Sequence, residues 1–144
     1  MTSQLNVDTI VDKAGSGGTN VKVGNTSTYV ADGGSATQNL VQGLAKAWTN
    51  YDGSDSSVRD SLNTSSVTDH DTGEHSVSLT NNMGNDDYTY SGGAKDGFNG
   101  NYGRIVSNTQ TASTSSHRQI TVLCNDNSRD DCDEVGTSVH GDLA

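Results

Sequence analysis

The chain has 144 residues, of which 29% are hydrophobic and 5% aromatic, and carries a formal net charge of -10. Eight Lys and Arg against 18 Asp and Glu form no basic patch, which argues against nucleic acid and against an anionic membrane surface as partners, since both need clustered cations. No apolar run reaches transmembrane length and no charged-then-apolar leader is visible, so if the protein leaves its cell it is expected to do so without a Sec-type signal.

Low hydrophobicity at this charge permits disorder. Against it stand 17 Gly, no Pro, and segments that alternate with a period of two, which are strand signals. A lone copy of so polar a chain buries a modest core, and association with sibling copies would enlarge it.

Residues 3–11 alternate, with Leu5, Val7, Thr9 and Val11 on one face and Asn6, Asp8 and Ile10 on the other. Turn chemistry follows over Asp12–Gly18, then a very short strand at Val21–Val23 and another at Tyr29–Val30. Strands this short enclose no core in one copy, but three or more copies wound about an axis would bury Leu5, Val7, Val21 and Val23 as a central stripe. The alternative is a tail without order. Ala36–Gln42 reads as a linker with one helical turn.

From Gly43 the signals become denser. Gly43–Tyr51 contains the only Trp and seeds a core. Leu44, Lys46, Trp48 and Asn50 share one side of the predicted strand, and Ala45, Ala47, Thr49 and Tyr51 the other. Strand signals recur at Val58–Leu62 and Asn63–Thr68. A turn at Asp69–Gly73 leads into a returning strand with His75, Val77 and Leu79 on one face. Tyr88–Tyr90 places both rings on one face, and residues 91–103 read as a Gly-rich loop holding Phe98 and Tyr102. Arg104–Ser107 is a short strand. In His117–Cys124, residues Arg118, Ile120, Val122 and Cys124 face one way, and His117, Gln119, Thr121 and Leu123 the other. Val135–His140 ends the series. Turn signals every eight to twelve residues predict a sandwich or an open barrel. The expected organisation is all-β: an N-terminal anchor and assembly segment over 1–42, then an antiparallel β-sandwich over 43–144.

Clusters that resemble reactive sites have plainer explanations. His70 and His75 with Asp69, Asp71 and Glu74 straddle a turn without metal-ligand spacing, so no metal is expected there. The acidic stretch with Asp126, Ser128, Asp130, Asp131, Asp133 and Glu134 puts Asp131 where an EF-hand loop needs Gly, which favours a solvated loop over calcium. No Ser, His or Asp lies in a nucleophile-elbow sequence, so neither catalytic residues nor a cofactor are expected. Cys124 and Cys132 flank a loop short enough to be bridged, and they are a candidate disulfide. Tyr88, Tyr90, Phe98 and Tyr102 offer ring faces for a glycan or a protein partner, weighed against core or interface packing.

Three blocks carry a resemblance. Ser3–Gly15 contains Leu5-Asn6-Val7-Asp8-Thr9-Ile10-Val11-Asp12. The middle block runs Lys46-Ala47-Trp48-Thr49-Asn50-Tyr51-Asp52-Gly53, then Val58-Arg59-Asp60-Ser61-Leu62-Asn63-Thr64-Ser65-Ser66-Val67-Thr68-Asp69, then Thr72-Gly73-Glu74-His75-Ser76-Val77. The end is Val139-His140-Gly141-Asp142-Leu143-Ala144. The chain resembles structural appendage proteins, fibre-like or capsid-decorating, of marine tailed bacteriophages and cyanophages. It departs from that pattern where Tyr51, Leu62 and His75 stand at Phe-type positions and Thr64 replaces Val, which points to a wetter core. The resemblance implies a homotrimeric virion-surface component, anchored to capsid or tail proteins through Leu5, Val7, Ile10, Val11, Val21 and Val23. An adsorption module for a host-surface glycan is the alternative, and an acidic secreted β protein without a virus is a third reading.

Overall fold

The structure, a computed structural model, describes residues 27–30, 34–95, 104–108, 112–123 and 127–144. The anchoring residues Leu5, Val7, Ile10, Val11, Val21 and Val23 lie outside them, as do Phe98, Tyr102 and Cys124. The chain divides into two compact units, Met1–Val41 and Gln42–Ala144. In the first, β1 (Thr28–Val30) pairs antiparallel with β2 (Thr37–Asn39), and the Tyr29 hydroxyl donates to Gln38 Oε1 at 2.5 Å. The helical turn expected over 36–42 begins only at Leu40, as α1 (Leu40–Gly43), because Thr37–Asn39 are taken up by that pairing.

The second unit is all-β and antiparallel. Its strands are β3 (Ala47–Tyr51), β4 (Val58–Leu62), β5 (Thr64–Asp71), β6 (Glu74–Leu79), β7 (Thr89–Lys95), β8 (Arg104–Asn108), β9 (Ser116–Leu123) and β10 (Glu134–His140). They form two four-stranded sheets, ordered β4-β3-β10-β7 and β5-β6-β9-β8. Three connections are hairpins within a sheet, and the others carry the chain from one sheet to the other.

Alternation decides what is buried. Ala47, Thr49 and Tyr51 of β3, His75, Val77 and Leu79 of β6, and Val135, Thr137 and Val139 of β10 point inward. Two apolar clusters span the sheets. One joins Ala47, Leu79, Met83, Tyr88 and Val139, and the other joins Tyr51, Val77, Cys132 and Val135. The interior of this unit is built from strands of both sheets, as the sandwich expected over 43–144 requires. It is also wet, as the departures at Tyr51, His75 and Thr64 imply. β9 turns its polar face inward, burying His117, Gln119 and Thr121. Gln119 Nε2 donates to the Tyr51 hydroxyl at 2.5 Å, and Thr49 and Thr64 share a hydrogen bond of 2.6 Å. These bonds compensate part of the lost hydration, while Gln119 Oε1, Thr121 Oγ1 and both His117 nitrogens are buried without a hydrogen-bond partner of ordinary geometry.

Asn63 forms the corner at which the chain leaves the first sheet for the second. Its φ of 58° lies in the left-handed region, which Asn tolerates better than other residues with a Cβ. Nδ2 donates to the carbonyls of Lys46 and Asn81, each at 3.1 Å, and Oδ1 accepts from Asn81 N at 2.7 Å and Asn81 Nδ2 at 3.0 Å. The next turn is tighter than predicted. β5 runs on through Asp71, leaving Thr72 and Gly73 as a two-residue hairpin loop in which Gly73 adopts φ 64°. The segment 91–95, read from sequence as loop, is the end of β7. It pairs with β10, Gly93 opposite Gly136, and backbone pairing outweighs the low strand preference of its glycines.

Candidate functional site

Tyr88 and Tyr90 face the interior. The Tyr88 hydroxyl donates to the carbonyls of Ser113 and Ser116, both at 2.9 Å, and Tyr90 donates to the Arg118 carbonyl at 3.3 Å. Burial pushes both phenols up to about 12. Between them lies the His117 ring, stacked on Tyr90 with centroids 4.6 Å apart and edge-on to Tyr88 at 6.4 Å. Neither His117 nitrogen has a hydrogen bond of ordinary geometry. Burial lowers its pKa to about 4, and the Gln119 side chain opposes that shift only in part. These two tyrosines are thus core aromatics rather than an exposed stacking platform.

The charged clusters brace the fold. His75 points into the core, where Nε2 donates to the Gly53 carbonyl at 3.0 Å, while His70 is exposed and bonded to Ser76 Oγ at 2.7 Å. The two histidines do not converge, and no group of His, Cys, Asp and Glu among the described residues is arranged to hold a metal ion. Glu74 is buried on the outer side of β6 beneath Arg118, at 2.6 Å, and Arg129. In the acidic loop, Asp131 Oδ1 accepts from Gly73 N at 2.5 Å and Asp130 Oδ2 holds Arg104 Nε at 3.0 Å. Burial works against the Arg104 charge, but Asp130 and Cys132 together outweigh it and raise the pKa. Cys132 is buried in the second apolar cluster, and its expected partner Cys124 lies outside the described residues. Gly53 approaches the same loop closely. It donates to the Cys132 carbonyl at 2.8 Å, and a Cβ there would sit 2.7 Å from that oxygen. Asp52 beside it is held below the usual carboxylate range by hydrogen bonds from Ser54 first and from Arg59 second.

Among the described residues, the outer face of the sheet β4-β3-β10-β7 carries two shallow hollows. Trp48 and Asn50 of β3, Ser138 and Gly136 of β10, and Ser91 of β7 line a shallow hollow of about 480 Å³. A second hollow of about 400 Å³, lined by Gly93, Ala94, Lys95, Glu134 and Gly136, adjoins it at Gly136. The register sets Trp48, Ser138 and Ser91 in one cross-strand row and Asn50, Gly136 and Gly93 in the next. Ser91 and Ser138 hydroxyls are 3.1 Å apart, and Asn50 Nδ2 donates to Glu134 Oε1 at 3.0 Å. Sequence reasoning placed Trp48 and Asn50 on the correct common face. It missed Gly136 and Gly93, because only strand pairing shows that they lie opposite each other.

No protein-family model, curated protein or solved structure matches this chain. Among the described residues, no helix is long and apolar enough to cross a membrane.

Proposed function

We propose that the chain is a non-enzymatic structural protein of a tailed-phage virion: a short homotrimeric surface appendage, a capsid decoration, head knob or short fibre, attached by its N-terminal segment. The observation that carries this reading is how the reactive side chains of the sandwich are used. Glu74 under Arg118, Asp130 on Arg104, Asp131 on Gly73 N and His75 on the Gly53 carbonyl all cross-brace strands and loops. Such a module presents a surface and runs no reaction. The partners proposed are its own copies and the capsid or tail proteins of the same particle, with no role for nucleic acid or membrane.

Light scattering of the purified chain tests the assembly. The expected mass is three times the 15.0 kDa of one chain. A monomer at micromolar concentration refutes the homotrimer. The second reading, an adsorption module for a host-surface glycan, is favoured by the open hollow beside Trp48. Copy number on purified particles separates the two: hundreds of copies support a shell decoration, and a handful support a tail-borne adsorption module.

A further inference from the structure

We propose that the outer face of β3, β10 and β7 is a binding site for a neutral oligosaccharide, with one sugar ring stacked on Trp48 and the chain lying across Gly136 and Gly93. This deepens the adsorption reading, while a structural role on the virion stands whichever way the test falls.

The argument begins with two glycines that the fold does not require. Glycine weakens a strand interior, so it is kept there for a bulge, for a backbone conformation closed to other residues, or for the close approach of another group. Gly93 and Gly136 pair in regular register, and neither has a positive φ. A Cβ built on Gly93 meets nothing within 4 Å, and one on Gly136 meets only the Gly93 carbonyl at 3.9 Å. Neighbouring Gly92 is different, since its Cβ would strike the Gly136 carbonyl at 2.7 Å and Thr137 at 2.9 Å. Internal packing therefore explains Gly92 and leaves Gly93 and Gly136 to the remaining cause, an occupant from outside this unit that approaches the sheet closely.

The rim identifies the occupant. Trp48 supplies a flat apolar surface with a polar N–H, the combination that suits the C–H face and hydroxyl edge of a sugar ring. Ser91 and Ser138 each offer a hydroxyl that donates and accepts, and the Glu134 carboxylate accepts. A few polar groups around one aromatic anchor is the pattern of a small-molecule site, whereas a protein interface would demand a broader apolar centre. Among the described residues, the one cation in the lining is Lys95, 4.0 Å from Glu134, and the chain carries a net charge of -10, so an acidic glycan is disfavoured.

Trp48 is the only Trp of the chain, so its emission reports this site alone. The full chain is titrated to millimolar concentration with maltohexaose, cellohexaose, laminarihexaose and chitohexaose, and with an acidic hexagalacturonate. The expected result is a saturable emission change with at least one neutral probe. Gly93→Val should weaken it at least tenfold without lowering the thermal midpoint, since the new side chain fills the hollow and touches nothing in the core. Gly136→Ser provides the same test should Gly93→Val fail to fold. Titration by calorimetry with Trp48→Thr should show no binding. The proposal is overturned if no neutral probe binds, if the acidic probe binds best, or if both glycine variants bind as the parent does. It is equally overturned if Gly93→Val and Gly136→Ser instead lower the solution mass, which would make the hollow a seat for a second copy.

Discussion

Replacing Asn63 by Ala tests whether one corner residue holds the two sheets in their relative order. Two losses combine. Ala has no local hydrogen bonding to offset the left-handed conformation, which costs about 1 kcal/mol. The four side-chain hydrogen bonds of Asn63 also vanish; because the site is partly exposed, each counts at the low end, about 0.5 kcal/mol. The expected destabilisation is about 3 kcal/mol. Asn63→Gly keeps the backbone conformation at no steric cost but loses the same bonds, so it should recover about 1 kcal/mol of the deficit. Urea unfolding followed by Trp48 fluorescence measures both variants. An Asn63→Ala loss below about 1 kcal/mol, or equal losses for Ala and Gly, would refute the corner as described.

Acid should destabilise the sandwich through His117. The folded pKa near 4 lies below the ordinary 6.5, so the unfolded chain binds the proton more readily; the contribution is complete above pH 6.5 and is lost as pH falls towards 4. The shift corresponds to about 3 kcal/mol. The groups packed on the ring are Tyr88 and Tyr90, neutral throughout this range, and Gln119. His117→Phe should flatten this part of the stability–pH curve, and an unchanged acid limb in that variant counts against the assignment. Gly53→Ala drives a Cβ to 2.7 Å from the Cys132 carbonyl and should cost about 1–3 kcal/mol in thermal or urea unfolding. Gly93→Ala, facing open space, should change stability by no more than about 0.5 kcal/mol, and a loss as large as that of Gly53→Ala would show that the outer face is packed.

For β3 and β6 the sequence alone was enough to place the strand and its two faces. Period-two alternation separated Ala47, Thr49 and Tyr51 from Trp48 and Asn50, and it set His75, Val77 and Leu79 on one side, because side-chain direction in a strand follows directly from chain position. It misjudged segments where composition opposes pairing. Ser91–Lys95 has the residues of a loop and becomes a strand only because β10 supplies a partner. Which face of β9 is buried was equally undecided, since Ile120 and Val122 compete with His117 and Gln119. The tertiary structure chose the polar face, where the Tyr51 hydroxyl and the Tyr90 ring stand ready to receive it. The acidic loop stays largely exposed, as its composition suggests, yet folding also brings Gly73 to Asp131 and Arg104 to Asp130. The hollow beside Trp48 is the clearest case. Its aromatic wall belongs to a motif readable in the chain, but its floor is two glycines 43 positions apart in sequence. Local pattern fixes which way each side chain points; only the pairing of distant strands decides which ones meet.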